Sequence, residues 1–65
     1  MSIENYHTFV DGNRRADVIL NSDGNVWGID MYENSQFIKR EFYEGHSEAY
    51  AESAAENYVD GIKKI

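Results

Sequence analysis

Hydrophobic and polar residues change period twice along this chain, and the changes divide it into three stretches. Near the start, Ile3, Tyr6, His7 and Val10 fall at helical spacing, with Ser2 placed to cap and Gly12 to stop. This spacing predicts a short helix before Gly12, although the run Thr8-Phe9-Val10 suits the end of a strand equally well. From Ala16 to Tyr43 the period is two. Asp23-Gly24 reads as a two-residue hairpin turn that sets Leu20 opposite Trp27, Val18 opposite Ile29 and Ala16 opposite Met31 on one face, with Gly24 supplying a positive φ. A second turn at Asn34-Ser35 sets Met31 beside Ile38 and Trp27 beside Phe42 on that face, and Asp30 beside Lys39 on the other. One position fits poorly, because Arg40 then falls opposite Ile29 on the face meant for the core. After Gly45 the period returns to 3.6, with Ser47 as N-cap and Ala51, Ala54, Ala55, Tyr58, Ile62 and Ile65 in one apolar stripe. The expected architecture is a single α+β domain over residues 1–65: a three-stranded antiparallel meander with a long C-terminal helix packed on one face and a short N-terminal helix, in the order αβββα.

Composition limits what such a domain does. At 65 residues, only about 60% of the unfolded chain's surface is buried on folding. With no Cys to form bridges, one Trp, five Tyr and three Phe must supply much of that burial. A catalytic pocket of several hundred cubic ångströms would consume the core the chain depends on, so a binding module is expected rather than an enzyme. The longest apolar run, Val18-Ile19-Leu20, is too short for a membrane span, which together with the lack of Cys suits a soluble intracellular protein.

Charge is distributed unevenly. Twelve acids oppose six bases for a net −6, yet residues 41–60 hold Glu41, Glu44, Glu48, Glu52, Glu56 and Asp60 and no Lys or Arg. From Glu44 onward the spacing is four, and the rise from Glu48 to Asp60 along a helix is about 18 Å. Like charges at i,i+4 cost a helix roughly 0.2 to 0.5 kcal/mol per pair. Part of that cost is offset where Glu48 meets the helix N-terminus and Lys63 and Lys64 the C-terminus. The simplest account of such a run is a solvated helix face; the alternative is a line of carboxylates shaped to meet a basic partner. On the other face of the sheet, Asp17 falls opposite Asp30, and Tyr32, Phe37 and Tyr43 interleave aromatics with these acids. Tyr and Phe anchor many protein interfaces, so this face is a second candidate contact surface. The strands at residues 13–20 and 37–43 are the expected sheet edges, and Arg14, Arg15, Lys39 and Arg40 on them oppose pairing with a second copy, which favours a monomer.

Residues with catalytic potential do not form a constellation. His7 and His46 lack metal-ligand spacing, and Ser47 and Ser53 have no partnered base in sequence, so no cofactor or metal is expected.

Two resemblances extend this reading. The order αβββα, with Ala54-Ala55 in the last helix, resembles the double-stranded RNA-binding domain. Where that family clamps phosphates with lysines at the start of the final helix, however, this chain has Ser47, Glu48 and Ala51, so the resemblance does not extend to RNA binding. In its small size, acidity and freedom from Cys the whole chain is similar to phage-encoded anti-CRISPR proteins, and looks most like the small inhibitors of type I-C surveillance complexes. That resemblance implies a stoichiometric DNA mimic in the cytoplasm of a bacterial host, which fills the basic DNA-binding channel of the complex (Cascade) without touching nucleic acid or membrane itself. Glu44, Glu48, Glu52, Glu56 and Asp60 would carry the contact, flanked by Glu41, Asp17, Asp30, Tyr32 and Phe37. The alternative is an antitoxin-like or adaptor module that binds a protein partner through the aromatic sheet face.

Overall fold

The computed structural model of the chain describes residues 2–62. Four antiparallel strands, β1 (Ile3–Asp11), β2 (Arg14–Asn21), β3 (Val26–Glu33) and β4 (Gln36–Phe42), form a meander in the order β1-β2-β3-β4, and one helix, α1 (Glu48–Val59), follows. The order is therefore ββββα. The expected N-terminal helix is instead an edge strand, so the segment at residues 13–20 lies inside the sheet as β2.

The reason lies in β1 itself. Its register against β2 pairs Asn5 with Ile19 and His7 with Val18, leaving Tyr6 as the extra residue of a bulge. A bulge breaks the period of two. Tyr6 meets Trp27 edge-on at 5.0 Å, and Phe9 packs against the core beside Ala16, so the side chains facing the helix fall at uneven spacing that mimics a helical pattern. Gly12 does not end a helix. At φ 61 it takes the first corner of a two-residue turn that pairs Asp11 with Arg14, a conformation glycine adopts without strain.

The central hairpin follows the expected register. Leu20 faces Trp27, Val18 faces Ile29, Ala16 faces Met31 and Asp17 faces Asp30. Its loop is wider than a two-residue turn, since pairing ends at Asn21 and Val26, and the positive φ falls on Asn25 at 51° rather than on Gly24. Asn21 holds the loop, its side-chain oxygen accepting from the Asp23 N–H and its carbonyl from the Gly24 N–H.

The second hairpin turns where expected, with positive φ at both Asn34 and Ser35, the requirement of a type I′ turn. Its register then departs from the expected one. Tyr32 pairs with Phe37 but Met31 pairs with Lys39, so Ile38 is the extra residue of a second bulge. Everything beyond it changes face. Arg40 lies opposite Asp30 rather than Ile29, Lys39 opposite Met31 rather than Asp30, and Phe42 opposite Gly28 rather than beside Trp27. Tyr43 takes the place beside Trp27, donating its backbone N–H to the Trp27 carbonyl, and packs on the helix side instead of the outer face. The bulge thus moves Arg40 off the core face and onto a buried carboxylate, and sets Lys39 and Glu41, paired with each other at 3.3 Å, on the helix side of the sheet edge in its place.

The core lies between the sheet and α1, where Ala16, Val18, Ile29 and Met31 meet Ala51, Ala55, Tyr58 and Val59. Alanines at 51 and 55 let the helix approach closely, and Tyr58, fully buried, fills the far end and donates its hydroxyl to the Tyr32 carbonyl at 3.0 Å. Ser47 occupies the N-cap position without a side-chain cap bond. The helix ends earlier than the apolar stripe suggests. Gly61, at φ 84, sends its N–H to the Tyr58 carbonyl while the Ile62 N–H bonds the Asn57 carbonyl, a Schellman cap that turns Ile62 outward to 69% exposure. Ile65 and the two lysines expected at the helix terminus, Lys63 and Lys64, lie outside the described residues. The terminus receives a cation from elsewhere, because Arg14 of β2 donates from Nη1 to the Tyr58 carbonyl at 3.0 Å.

Candidate functional site

Packing of α1 through Ala51, Ala55, Tyr58 and Val59 decides where its acids point. Glu48 and Glu52 lie half-buried along the flank nearest β1, and Glu52 Oε2 comes within 3.7 Å of His7 Nδ1. Each four-residue step turns the line about 40° further from the sheet. Glu56 and the C-cap residue Asp60 are accordingly exposed. Glu44 is exposed in the loop before the helix, outside the helical line but continuous with it in sequence. The acidic field extends over β1. The Tyr6 phenol is held above its ordinary pKa, first by its hydrogen bond to the Glu4 carboxylate at 3.2 Å and then by the negative charge of Glu4, with Glu48 adding a smaller contribution.

The opposite flank of α1 is uncharged. Tyr50, Ser53, Ala54 and Asn57 look toward β4 and share a groove with Tyr43 and Ile62, and the helix backbone does not approach that of β4. Tyr43 and Tyr50 meet edge-on at 5.2 Å, with His46 stacked on Tyr50 at 3.8 Å. Glu41 lies on this side, opposite Ile29, accepting from the Tyr43 hydroxyl at 2.7 Å and paired with Lys39 at 3.3 Å.

The outer face of the sheet carries a row across all four strands: Thr8, Asp17, Asp30 and Arg40. Asp17 and Asp30 are only 7% and 6% exposed, and each has its own donors. The Thr8 hydroxyl donates to Asp17 at 2.9 Å, Arg15 approaches Asp17 at 3.5 Å, and Arg40 grips Asp30 with a fork of two bonds at 2.6 and 2.9 Å. Arg15 also lies over the Tyr32 ring at 3.9 Å, and Tyr32 meets Phe37 edge-on at 5.6 Å. Of the predicted contact residues on this face, Phe37 is the exposed one, while Asp17 and Asp30 build the sheet. Sequence reasoning placed the facing aspartates but missed their cation, because Arg40 reaches Asp30 only through the bulge at Ile38.

Two phenols set an alkaline limit on this arrangement. Burial, followed by the hydrogen bond to Glu41, raises the Tyr43 phenol well above its ordinary value near 10, and burial raises Tyr58 as well. A raised tyrosine pKa favours the folded state fully below about 10 and loses that contribution as pH rises past it. We expect cooperative unfolding to set in above about pH 10, followed by circular dichroism alongside the ultraviolet phenolate signal. Titration of Tyr43 and Tyr58 near the ordinary value with the fold intact would contradict it.

Among the described residues no group of three or more His, Cys, Asp or Glu could hold a metal ion, and no helix is long and apolar enough to cross a membrane. No protein-family model, no curated protein and no solved structure matches this chain.

Proposed function

We propose that this protein is a stoichiometric inhibitor that lays the acidic flank of α1 into a basic, nucleic-acid-binding surface of a protein partner, in the manner of a DNA mimic. The observation that supports it is the line Glu48, Glu52, Glu56 and Asp60, held on a docked helix that carries no Lys or Arg and exposed progressively toward its end. Successive acids are about 6 Å apart along the axis, close to the roughly 6.8 Å between alternate phosphates of one DNA strand. Lysines and arginines placed for phosphates can therefore meet several carboxylates at once, and binding would be steered by charge and weakened by salt. The DNA channel of a type I-C CRISPR surveillance complex is the partner its resemblance to anti-CRISPR proteins implies.

The test is DNA binding by that purified complex, with and without this protein, at low and high salt. The expected outcome is loss of DNA binding at near-stoichiometric ratios, relieved by salt and weakened at least tenfold by the double reversal Glu52→Lys/Glu56→Lys. Unchanged DNA binding, or a reversal variant as potent as the parent, would defeat the reading. A protein-binding module that uses the outer face is favoured by one observation, the 54% exposure of Phe37 beside Tyr32. It predicts the opposite pattern: Phe37→Ala weakens partner binding, and salt matters little.

A further inference from the structure

Seven large hydrophobic side chains are left exposed among the described residues, and five of them, Phe37, Ile38, Phe42, Tyr50 and Ile62, collect on the β4 side of the molecule. β4 is also an open sheet edge, since it is last in the strand order and the backbone of α1 does not approach it. Edge strands present unpaired backbone groups as a template for another strand, and charged side chains are one of the usual defences. Here the charges are already engaged. Arg40 is held by Asp30 and Lys39 by Glu41, so neither cation stands as an uncompensated charge on the edge.

From this geometry we infer that β4 is a dimerisation edge that pairs antiparallel with β4 of a second copy, about a two-fold axis at Arg40. The backbone sets which residues can meet. The Tyr43 N–H is bonded inward to Trp27, and alternation along an antiparallel strand then turns the backbone groups of Phe42 and Arg40 outward. Pairing Arg40 with Arg40 of the second copy sets Lys39 opposite the second copy's Glu41, and Glu41 opposite its Lys39, and it brings Ile38 of each copy alongside Phe42 of the other. The axial Arg40 pair opposes two like charges, but each guanidinium is gripped by Asp30 of its own copy and two Lys39–Glu41 pairs flank the axis; sliding by two residues, to Arg40 against Phe42, sets Glu41 against Glu41 and forms neither of those pairs.

Charge on the rest of the molecule selects the same edge. The free edge of β1 carries Glu4 and Asp11, a bulge at Tyr6, and the flanking acids Glu48 and Glu52, so two copies meeting there would bring like charges together. On the β4 side the helix presents Tyr50, Ser53, Ala54 and Asn57, with no charge among them. A dimer through β4 is a continuous eight-stranded sheet with both helices on one face and the two acidic flanks on its outer rims.

The experiment is sedimentation of the full chain over a range of concentrations, with a register test by cysteine cross-linking, for which the absence of native Cys gives a clean background. A dimer is expected. Lys39→Glu should weaken it at least tenfold, and the swap Lys39→Glu/Glu41→Lys should restore it, with circular dichroism confirming that each variant is folded. In cross-linking, Lys39→Cys mixed with Glu41→Cys should form a disulfide-linked pair under mild oxidation, whereas each variant alone should not. A monomer at every concentration, or a dimer in which the mixture does not cross-link, would overturn the inference. The mixed cysteine dimer keeps one Lys39–Glu41 pair intact, so the cross-link reports the register without either charge-reversed variant.

Discussion

Arg40→Met is expected to destabilise the fold by about 3 kcal/mol, the low end of the cost of leaving a buried carboxylate without its partner, the guanidinium itself being 40% exposed. The substitution keeps the length and apolar stem of the side chain but leaves Asp30, 6% exposed, without its fork and directly opposite Asp17. Two neighbouring carboxylates would then share little more than Thr8 and Arg15 as donors. In so small a domain a loss of this size lowers Tm by about 12 to 24 °C. Urea denaturation measures it, and the double variant Arg40→Met/Asp30→Asn should regain more than half, because the uncompensated charge is what destabilises. A loss below about 0.5 kcal/mol would place the Arg40 pair among ordinary surface ion pairs.

Gly28→Ala should be nearly as damaging, at about 3 kcal/mol, the upper part of the range for overpacking. A Cβ at this position would stand 2.3 Å from the Glu41 carbonyl oxygen and 2.8 Å from Cδ1 of Phe42. A ring can rotate away, but a backbone carbonyl in a paired strand cannot move without disturbing the ladder of β3 and β4. The glycine lets the Phe42 ring cover the sheet in the row that also holds Ile19, which is 2% exposed although it lies on the face without a helix. Chemical denaturation of Gly28→Ala tests this, with Gly24→Ala as the control, where the nearest atom is a Val26 methyl at an ordinary contact distance of 3.4 Å. Equal stability of the two variants would show that β4 yields at this point without cost.

Legibility differed from element to element for identifiable reasons. The hairpin from Ala16 to Met31 was readable because both its strands are regular and one face is wholly apolar, so a slip by one residue would have turned that face outward. The body of α1 was readable from its alanine spacing and its isolation after Gly45. The end of α1 was not: Ile62 continues the 3.6 pattern in sequence, but Gly61 adopts a positive φ and stops the helix first. β1 and β4 each contain a bulge, and a bulge removes the period of two by which a strand is recognised. At β1 the result resembled a helix, and at β4 it hid the pairing of Arg40 with Asp30 and reversed the faces of Phe42 and Tyr43.

The candidate surfaces divide along the same line. That the acids of residues 48–60 form one line followed from their four-residue spacing alone, since helical geometry is local. Which way the line faces, toward β1 and away from β4, was decided by the packing of Ala51, Ala55, Tyr58 and Val59 on the sheet. The facing pair Asp17 and Asp30 was a sequence property of a regular hairpin. Its neutralisation by Thr8, Arg15 and Arg40 was tertiary, because two of these three donors come from strands whose register is set by bulges. Sequence by itself determined the elements whose pattern repeats, an acidic helix and an apolar central hairpin. Only the tertiary structure decided the edges, because one inserted residue in a strand changes the face of every residue after it, and the advantage of inserting it appears only when the neighbouring strand is in place.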